Sequence, residues 1–240
     1  EMAIALCQLG PFEPRDVWFR GPGYLASTTL VGEYLKNGRA LPEAVPKTGS
    51  YPGGRKVLRM RGIVPGVFKI DIASMYPTII LNEAIDGQGD PQGAMRKVLR
   101  RLLEHRAELK AAGHRHREQA VKTLINSFYG LLGSSYRFND PKAASTITAR
   151  GRELILSIED ALVARGCEIV QVDTDGILFA RASTGSDEAR ALVDEVQAEC
   201  APQYTIRLER GPATVLSVGT SIYALSDPAT RALELKGAHF

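Results

Sequence analysis

Three aspartates lie at the ends of the most apolar stretches of this chain, and this feature constrains its fold more than any other. Residues 67–72 read VFKIDI, a β-branched run that predicts a buried strand ending near Asp71. Residues 168–180 read EIVQVDTDGILFA, two apolar runs around an Asp-Gly step, which predicts a β-hairpin with Asp173 and Asp175 at its tip. Buried carboxylates are costly unless they are paired or bind a cation, so a sheet that gathers all three favours a divalent metal. Each aspartate taken singly is also typical of a cap or turn, and spacing alone leaves both interpretations open.

Positive charge is concentrated in one segment of an otherwise balanced chain. The formal net charge is +3, but residues 96–122 hold nine basic and three acidic side chains, a local charge of +6 that leaves −3 for the rest. A basic element of this kind indicates a polyanionic partner. Charge runs are also common on solvated helical faces, so charge alone does not choose between the two interpretations.

The basic segment has the period of a helical hairpin. Apolar residues recur at helical spacing over 94–112, Gly113 is a typical helix end, and a second helix is predicted from about residue 116 to 132. A third helix is predicted over 141–165, and another over 186–202.

The stripes on the two hairpin helices favour a bound anion. On the first helix, the stripe of leucines continues into Arg106 and Lys110, so one face changes from apolar to cationic. On the second helix, Lys122 and Asn126 share a face with the Tyr129-Gly130 pair. Arginine and lysine side chains placed in this way suit a triphosphate.

The remaining segments complete an α+β fold class, with a small antiparallel sheet packed on helices and interrupted by the helical hairpin. Strands are predicted over 204–208 and 213–218, and a helix over 26–36. Little else in residues 1–65 predicts a definite element, because glycine and proline are frequent there.

Composition excludes several classes of protein. With 240 residues, 44% hydrophobic and 24% charged, the chain falls in the globular range and outside the disordered, collagen-like and coiled-coil ranges. No apolar run reaches the roughly 18–20 residues of a membrane span, and the first residues predict no signal peptide. Three widely spaced cysteines argue against a disulfide framework, so we expect an intracellular protein of the cytoplasm or nucleoid.

Three ordered motifs resemble those of family B DNA polymerases. Residues 71–80, DIASMYPTII, are similar to motif A (D-x-x-S-L-Y-P-S-I-I). Residues 122–130, KTLINSFYG, are similar to motif B (K-x-x-x-N-S-x-Y-G), and residues 172–177, VDTDGI, to motif C (G-D-T-D-S-I). Residues 51–54, YPGG, resemble a Y-x-G-G element, and residues 148–152, TARGR, a T-x-x-G-R helix. Several motifs in the family's order are far more specific than any one of them.

The resemblance implies a division into polymerase subdomains. The palm would comprise residues 51–85 and 136–240, the helical hairpin at 86–135 would form the fingers, and residues 1–50 would lead into the palm. An exonuclease domain would precede Tyr51 and a thumb would follow Gly237, and 240 residues leave almost no room for either. We therefore expect no editing activity from this chain.

The resemblance also implies a role for each motif residue. Asp71, Asp175 and the carbonyl of Ile72 would hold two Mg²⁺ ions, with Mn²⁺ as a substitute, and Asp173 would act as an auxiliary acid. The amides of Ser74 and Met75 would bind the triphosphate. Tyr76 would lie under the sugar and exclude a 2′-hydroxyl.

The phosphates of the nucleotide and the DNA would be held by further residues. The nucleotide set adds Arg106, Lys110, Lys122 and Asn126. The DNA set comprises Tyr51, Gly53, Gly54, Tyr129, Gly130, Arg152 and Tyr223. The implied partners are primer-template DNA, deoxynucleoside triphosphates (dNTPs), and a thumb, clamp or accessory protein that would supply further grip on the duplex, with no membrane.

These features together predict template-directed DNA synthesis by two-metal nucleotidyl transfer. The alternative is a catalytically weak or silent DNA-binding module that depends on absent domains, and a third reading is another two-metal enzyme such as a nuclease or cyclase. Intact carboxylates disfavour the silent module, and motif B and Tyr76 disfavour the third reading.

The sequence departs from the family pattern at two places. Motif C has Gln171-Val172 where many members have Tyr-Gly, and Gly176 where serine is usual. Thr220 and Ser221 stand where the family's K-K-x-Y element has two lysines, while Tyr223 keeps the tyrosine. Loss of both lysines predicts weaker binding to duplex DNA with a smaller salt dependence.

Overall fold

A computed structural model describes residues 1–46, 50–228 and 231–237. The other positions, which fall within the predicted N-terminal and palm segments, lie outside the described residues. The chain forms two compact units, one from Glu1–Tyr51 and Tyr76–Ile147 and one from Pro52–Met75 and Thr148–Phe240.

The described helices agree closely with the predicted ones. They are α1 (Met2–Cys7), α2 (Pro14–Phe19), α3 (Pro22–Lys36), α4 (Met75–Asn82), α5 (Ala94–Ala111), α6 (Arg115–Leu132), α7 (Pro141–Ala164) and α8 (Ser186–Cys200). The predicted helices over 94–112, 116–132, 141–165 and 186–202 are confirmed to within a few residues. The short helices α1, α2 and α4 have no counterpart in the sequence prediction, because six to eight residues are too few to show a helical period.

The strands of the second unit form one antiparallel sheet. They are β1 (Lys56–Leu58), β2 (Gly62–Ile72), β3 (Glu168–Asp173), β4 (Gly176–Ala180), β5 (Ile206–Gly219), β6 (Ile222–Ser226) and β7 (Leu233–Lys236). Their order across the sheet is β1-β3-β4-β2-β5-β6-β7, and every pairing is antiparallel. The predicted antiparallel sheet and its β3–β4 hairpin are confirmed, while the sheet is larger than predicted.

One strand prediction was wrong in its number of elements. Residues 206–208 and 213–218 belong to a single strand, β5, and residues 204 and 205 precede it. The Gly211-Pro212 step at its centre predicts the end of a strand, because proline cannot donate a ladder hydrogen bond. The pairing of β5 with β2 shifts register on both sides of this step, and these irregularities let the strand continue past the proline.

The sheet is strongly rolled. Five strand spacings separate β3 from β7, about 24 Å on a flat sheet, which is farther than a lysine and an aspartate side chain can bridge. The Nζ atom of Lys236 on β7 nevertheless lies 2.6 Å from a carboxylate oxygen of Asp173 on β3. Lys69 on β2 similarly lies 2.6 Å from Glu234 on β7. The two ion pairs therefore lie on the concave face, where Tyr223 is also buried.

The helical unit is organised by buried polar caps as well as by apolar packing. Helix α3 packs against α5 and α6, and Leu30, Leu124 and Phe128 are fully buried. Asp90, also fully buried, accepts hydrogen bonds from the amides of Ala94 and Met95 at the start of α5 and from the Tyr34 hydroxyl at 2.6 Å. These amides are among the four that a helix start leaves unsatisfied, so Asp90 fixes where α5 begins.

A buried carboxylate on α7 anchors the edge strand β1 of the sheet unit. Glu159 is 1% exposed and accepts hydrogen bonds from both Arg55, at 2.8 and 2.9 Å, and Arg59, at 2.7 and 3.3 Å. These arginines flank β1, which is only three residues long. The short strand thus depends on this double ion pair for its position.

We predict that Glu159→Ala lowers the free energy of unfolding by about 3 kcal/mol, the lower end of the range for breaking a buried ion pair, because Arg59 is half-exposed and regains water. Urea unfolding of the whole chain measures this loss. Glu153→Ala on the same helix removes an exposed partner of Arg150 and is the matched control, with an expected cost below about 1 kcal/mol. Equal costs for the two variants would show that Glu159 anchors nothing.

Candidate active site

The sheet places the aspartates of motifs A and C in one row. Asp71 on β2 and Asp173 on β3 are both register partners of Gly176 on β4, which lies between them. Directly opposed residues of an antiparallel pair point to the same face, so both carboxylates lie on one face of the sheet. The amide of Ile72 donates to the carbonyl of Asp175 at 2.8 Å, which brings the third aspartate next to Asp71 along the backbone.

The turn that carries Asp175 is unusually tight. The amide of Asp175 donates to the carbonyl of Asp173 at 2.8 Å, and Thr174 between them has a φ of +62°. This pattern is that of a γ-turn with a strained central residue. The amide of Thr174 donates to the carbonyl of Arg55 at 2.7 Å, so the turn is held from β1 as well.

Glycine at position 176 suits this crowded ladder. A Cβ atom there would lie 3.1 Å from the carbonyl oxygen of Ile70, closer than most side chains approach a backbone oxygen. The departure from serine in motif C therefore relieves a close contact at the centre of the aspartate row.

Asp173 is engaged by cations. Lys236 lies 2.6 Å and Lys56 3.2 Å from its two carboxylate oxygens, and Ser221 also hydrogen bonds to it. Burial by itself would raise the pKa of Asp173, but the hydrogen bonds from Lys236, Ser221 and Lys56 outweigh it and hold that pKa below its ordinary value. The carboxylate thus remains ionised and balanced by lysine charge.

The donor chemistry around Asp71 and Asp175 fits a magnesium ion that keeps ligands from substrate and water. Within the described ranges, no group of three or more histidine, cysteine, aspartate or glutamate side chains is arranged to hold a metal. Magnesium commonly binds through one or two carboxylates together with substrate phosphates. Two aspartates and the Ile72 carbonyl are an all-oxygen set of that kind, with Asp173 held by its lysines.

Motif A continues from the aspartate row into a helix start. Ser74 adopts a left-handed conformation, with a φ of +51°, and α4 begins at Met75. The amides at a helix start point away from the helix and attract anions. The predicted triphosphate contacts of Ser74 and Met75 thus fall at a backbone position suited to them.

The tyrosines of motifs A and B stack in the helical unit. The ring centroids of Tyr76 and Tyr129 are 4.3 Å apart with an interplanar angle of 31°. Gly130, the next residue on α6, is exposed, and a Cβ atom there would meet no other atom within 4 Å. The structure therefore brings together two aromatic residues that the sequence places more than fifty positions apart.

The cations of the helical hairpin do not share one environment. Arg106 on α5 forms a 2.6 Å ion pair with Glu118 on α6, and both side chains are mostly buried. Lys110, by contrast, is exposed. The exposed face of α6 carries Lys122 and Asn126, in line with Gly130. The predicted cationic stripe on α5 is thus partly neutralised within the hairpin itself.

The predicted DNA residues of the Y-x-G-G element are held in two ways. Arg152 on α7 donates to the carbonyls of Pro52 and Gly53 at 2.9 and 2.8 Å, within the sheet unit, and Gly54 follows directly. In the helical unit, the hydroxyl of Tyr51 lies so close to Gly133 that any side chain there would collide with it. A positioning role for Arg152 is a feature that the motif alone did not reveal.

Tyr223 and Gln171 are both almost fully buried. Tyr223 is 2% exposed in the concave core, so its contact with DNA stays a prediction. Gln171, one of the departures in motif C, is 1% exposed, and among the described residues its amide nitrogen and oxygen have no hydrogen-bond partner. A buried amide without partners costs free energy, so Gln171 is a strained choice for this strand.

Lys56 and Lys236 are also part of this site, although no sequence motif indicated them. Lys56 is the register partner of Asp173, and Lys236 reaches the same carboxylate from β7. Both lysines lie on short edge strands, β1 and β7, of three and four residues. Strands of this length show no pattern in the sequence that would mark a site. Only the rolled sheet brings them together.

Of the described helices, none combines the length and apolar character needed to cross a bilayer.

Comparisons with known proteins give matches to DNA polymerases. Residues 92–207 match the model of DNA polymerase family B. DNA polymerase II of Escherichia coli strain K12 is 30% identical over 176 residues, which cover 61% of this chain and 22% of that protein. A DNA polymerase of Archaeoglobus fulgidus is 28% identical over 216 residues, covering 77% of this chain and 28% of that protein. The chain therefore spans about a quarter of the length of these relatives.

A solved structure shares the fold. The family B DNA polymerase of the hyperthermophilic archaeon Pyrobaculum calidifontis aligns with a TM-score of 0.73 and 18% identity, covering 98% of this chain and 35% of that one. The family match over residues 92–207 and the named relatives support the resemblance to DNA polymerase family B, and the solved structure supports the fold.

Proposed function

We propose that this chain catalyses template-directed DNA synthesis, adding deoxynucleoside monophosphates to a primer 3′-hydroxyl. The observation that carries the proposal is the register row in which Asp71 and Asp173 flank Gly176, with Asp175 bonded through its carbonyl to Ile72. A sheet gains nothing in stability from clustered carboxylates, so their shared face supports a cation-dependent reaction. The relatives are named DNA polymerases, and the proposal extends that activity to this chain.

Asp71, Asp175 and the Ile72 carbonyl would hold the two magnesium ions of the proposed reaction. When bound, such ions make a hydroxyl more acidic and stabilise charge on a pyrophosphate leaving group. The protein contributes the fixed backbone from which the two carboxylates project, and the tight turn at Thr174 limits how far Asp175 can move. Lys236 and Lys56 keep the negative charge of Asp173 from adding to that of its neighbours.

In the helical unit, Lys110, Lys122 and Asn126 are exposed and would contact the triphosphate. Arg106 would add its guanidinium group, which also pairs with Glu118. The amides of Ser74 and Met75 would add neutral donors. Base choice would come from pairing with the template.

Tyr76 would select deoxynucleotides by occupying the space of a 2′-hydroxyl. Its ring is stacked on Tyr129, which restricts the rotamers open to it. A steric gate requires such rigidity, because a mobile ring would yield to the extra oxygen. The proposed substrates are therefore dNTPs, and the proposed partner is primer-template DNA.

We predict that Asp71→Asn and Asp175→Asn each reduce primer extension by at least about 10²-fold, since loss of charge stabilisation in a transition state has effects of that size. Extension of a labelled primer by one dNTP, with and without Mg²⁺, measures the rate. Asp194→Asn, which removes an exposed carboxylate on α8, is the matched control and should extend at the wild-type rate.

The same assay separates the rival functions. Templated addition that requires Mg²⁺ supports the proposal. Binding of primer-template without addition indicates a silent DNA-binding module, and cleavage without addition indicates a nuclease. Full activity in Asp71→Asn or Asp175→Asn would overturn the assignment of the metal-binding carboxylates.

We predict that Tyr76→Ala lowers the preference for deoxy- over ribonucleotides by about tenfold or more, because the pocket no longer excludes the 2′-hydroxyl. The ratio of kcat/KM for dNTP and rNTP incorporation measures this preference. Tyr24→Ala removes a second tyrosine pair of the helical unit, the edge-to-face contact of Tyr24 with Tyr136, and should leave the ratio unchanged. A preserved ratio in Tyr76→Ala would rule out the gate.

A further inference from the structure

The row of residues that holds the motif aspartates ends on a lysine. Lys56 on β1 is the register partner of Asp173 on β3, so the row runs Asp71, Gly176, Asp173, Lys56 across four adjacent strands. All four positions face the same side of the sheet. At a strand spacing of about 4.8 Å, the backbone of Lys56 lies about 14 Å along the sheet from that of Asp71.

Lys56 is not needed to neutralise Asp173. Lys236 already makes the shorter ion pair with that carboxylate, at 2.6 Å against 3.2 Å for Lys56. One carboxylate between two ammonium groups leaves a net charge of +1. Lys236 alone balances the charge of Asp173, so the ammonium group of Lys56 can also pair with another anion.

The ammonium group of Lys56 also remains accessible. It donates to Ser221 at 3.2 Å and contacts Asp173, which accounts for two of its three N–H donors. Its side chain is 51% exposed, so the remaining donor can meet an acceptor from solution. Gln171 lies two residues before Asp173 on β3, and among the described residues its side-chain amide has no hydrogen-bond partner.

We propose that Lys56 binds a backbone phosphate of the primer-template duplex, within about four nucleotides of the reacting 3′ end. This position follows from the separation of about 14 Å and the rise of about 3.4 Å per nucleotide along a DNA strand. The inference rests on the proposed function, because it presumes that the 3′ end lies at Asp71 and Asp175. It assigns to β1 a duplex contact that no polymerase motif of this chain contains.

The first test measures the salt dependence of duplex binding. Fluorescence anisotropy of a labelled primer-template gives Kd for the whole chain between 50 and 200 mM NaCl. Loss of one phosphate contact reduces the magnitude of the slope of log K against log salt by about 0.9. Over that salt range the fall in affinity of Lys56→Gln should therefore be about 3.5-fold smaller than that of wild type. Lys56→Arg should keep the wild-type slope. Arg190→Gln on α8 removes the same charge from an exposed helix and should also keep it.

A second comparison separates a DNA contact from a purely internal ion pair. If Lys56 served only to balance Asp173, Lys56→Gln/Asp173→Asn would have the same slope as Asp173→Asn alone. The proposal expects the salt slope of the double variant to be smaller in magnitude, by about 0.9, than that of Asp173→Asn. Equal slopes for these two proteins would overturn it.

Modified primers identify which phosphate Lys56 contacts. Replacing single primer phosphates by uncharged methylphosphonates, one position at a time over the last five, should abolish the effect of Lys56→Gln at one position. A changed KM for the dNTP with an unchanged Kd for the duplex would instead indicate a triphosphate contact and overturn the proposal. Wild-type protein that binds no duplex would overturn both this inference and the proposed function. Duplex binding with a wild-type slope in Lys56→Gln would overturn the inference alone.

Discussion

The ladder formed by β2, β4 and β3 is the constraint on which the rest of the sheet unit depends. Because β4 lies between the other two, residues that are more than one hundred positions apart in the chain become neighbours across a single glycine. Gly176 permits that approach, since a side chain there would crowd the carbonyl of Ile70. The direction in which the motif aspartates point is therefore set by backbone hydrogen bonds, which are stiffer than any side-chain contact.

Ion pairs join distant strands of the rolled sheet and hold the pKa of Asp173 below its ordinary value. The Asp173–Lys236 and Lys69–Glu234 pairs join strands that a flat sheet would hold far apart, and they lie on the concave side. Lys236, which joins β7 to β3, also helps to hold the pKa of Asp173 below its ordinary value. We assign the proposed metal ligands to Asp71 and Asp175 because they occupy the motif positions that the family resemblance gives to metal, and Asp173 has two lysine contacts in the structure.

Much of the fold could be predicted because its signals are local. The helices α5 to α8 have a clear apolar period and definite ends, such as Gly113 after α5. The Asp-Gly step predicts the β3–β4 hairpin. The edge strands β1 and β7 could not be predicted, because strands of three or four residues have too few positions to show a period. Strand β5 was divided at Gly211-Pro212, because the irregular pairing that accommodates the proline depends on its partner β2.

The sequence by itself determined the resemblance to family B and the identity of the motif aspartates, tyrosines and hairpin cations, since motif spacing is a property of the chain alone. Tertiary structure decided which of these groups share an environment. It stacked Tyr76 on Tyr129, paired Arg106 with Glu118, buried Tyr223, and brought Lys56 and Lys236 to Asp173. The physical reason is that ion pairing and burial act over a few ångströms in space, and the rolling of a sheet makes neighbours of residues that no local pattern connects.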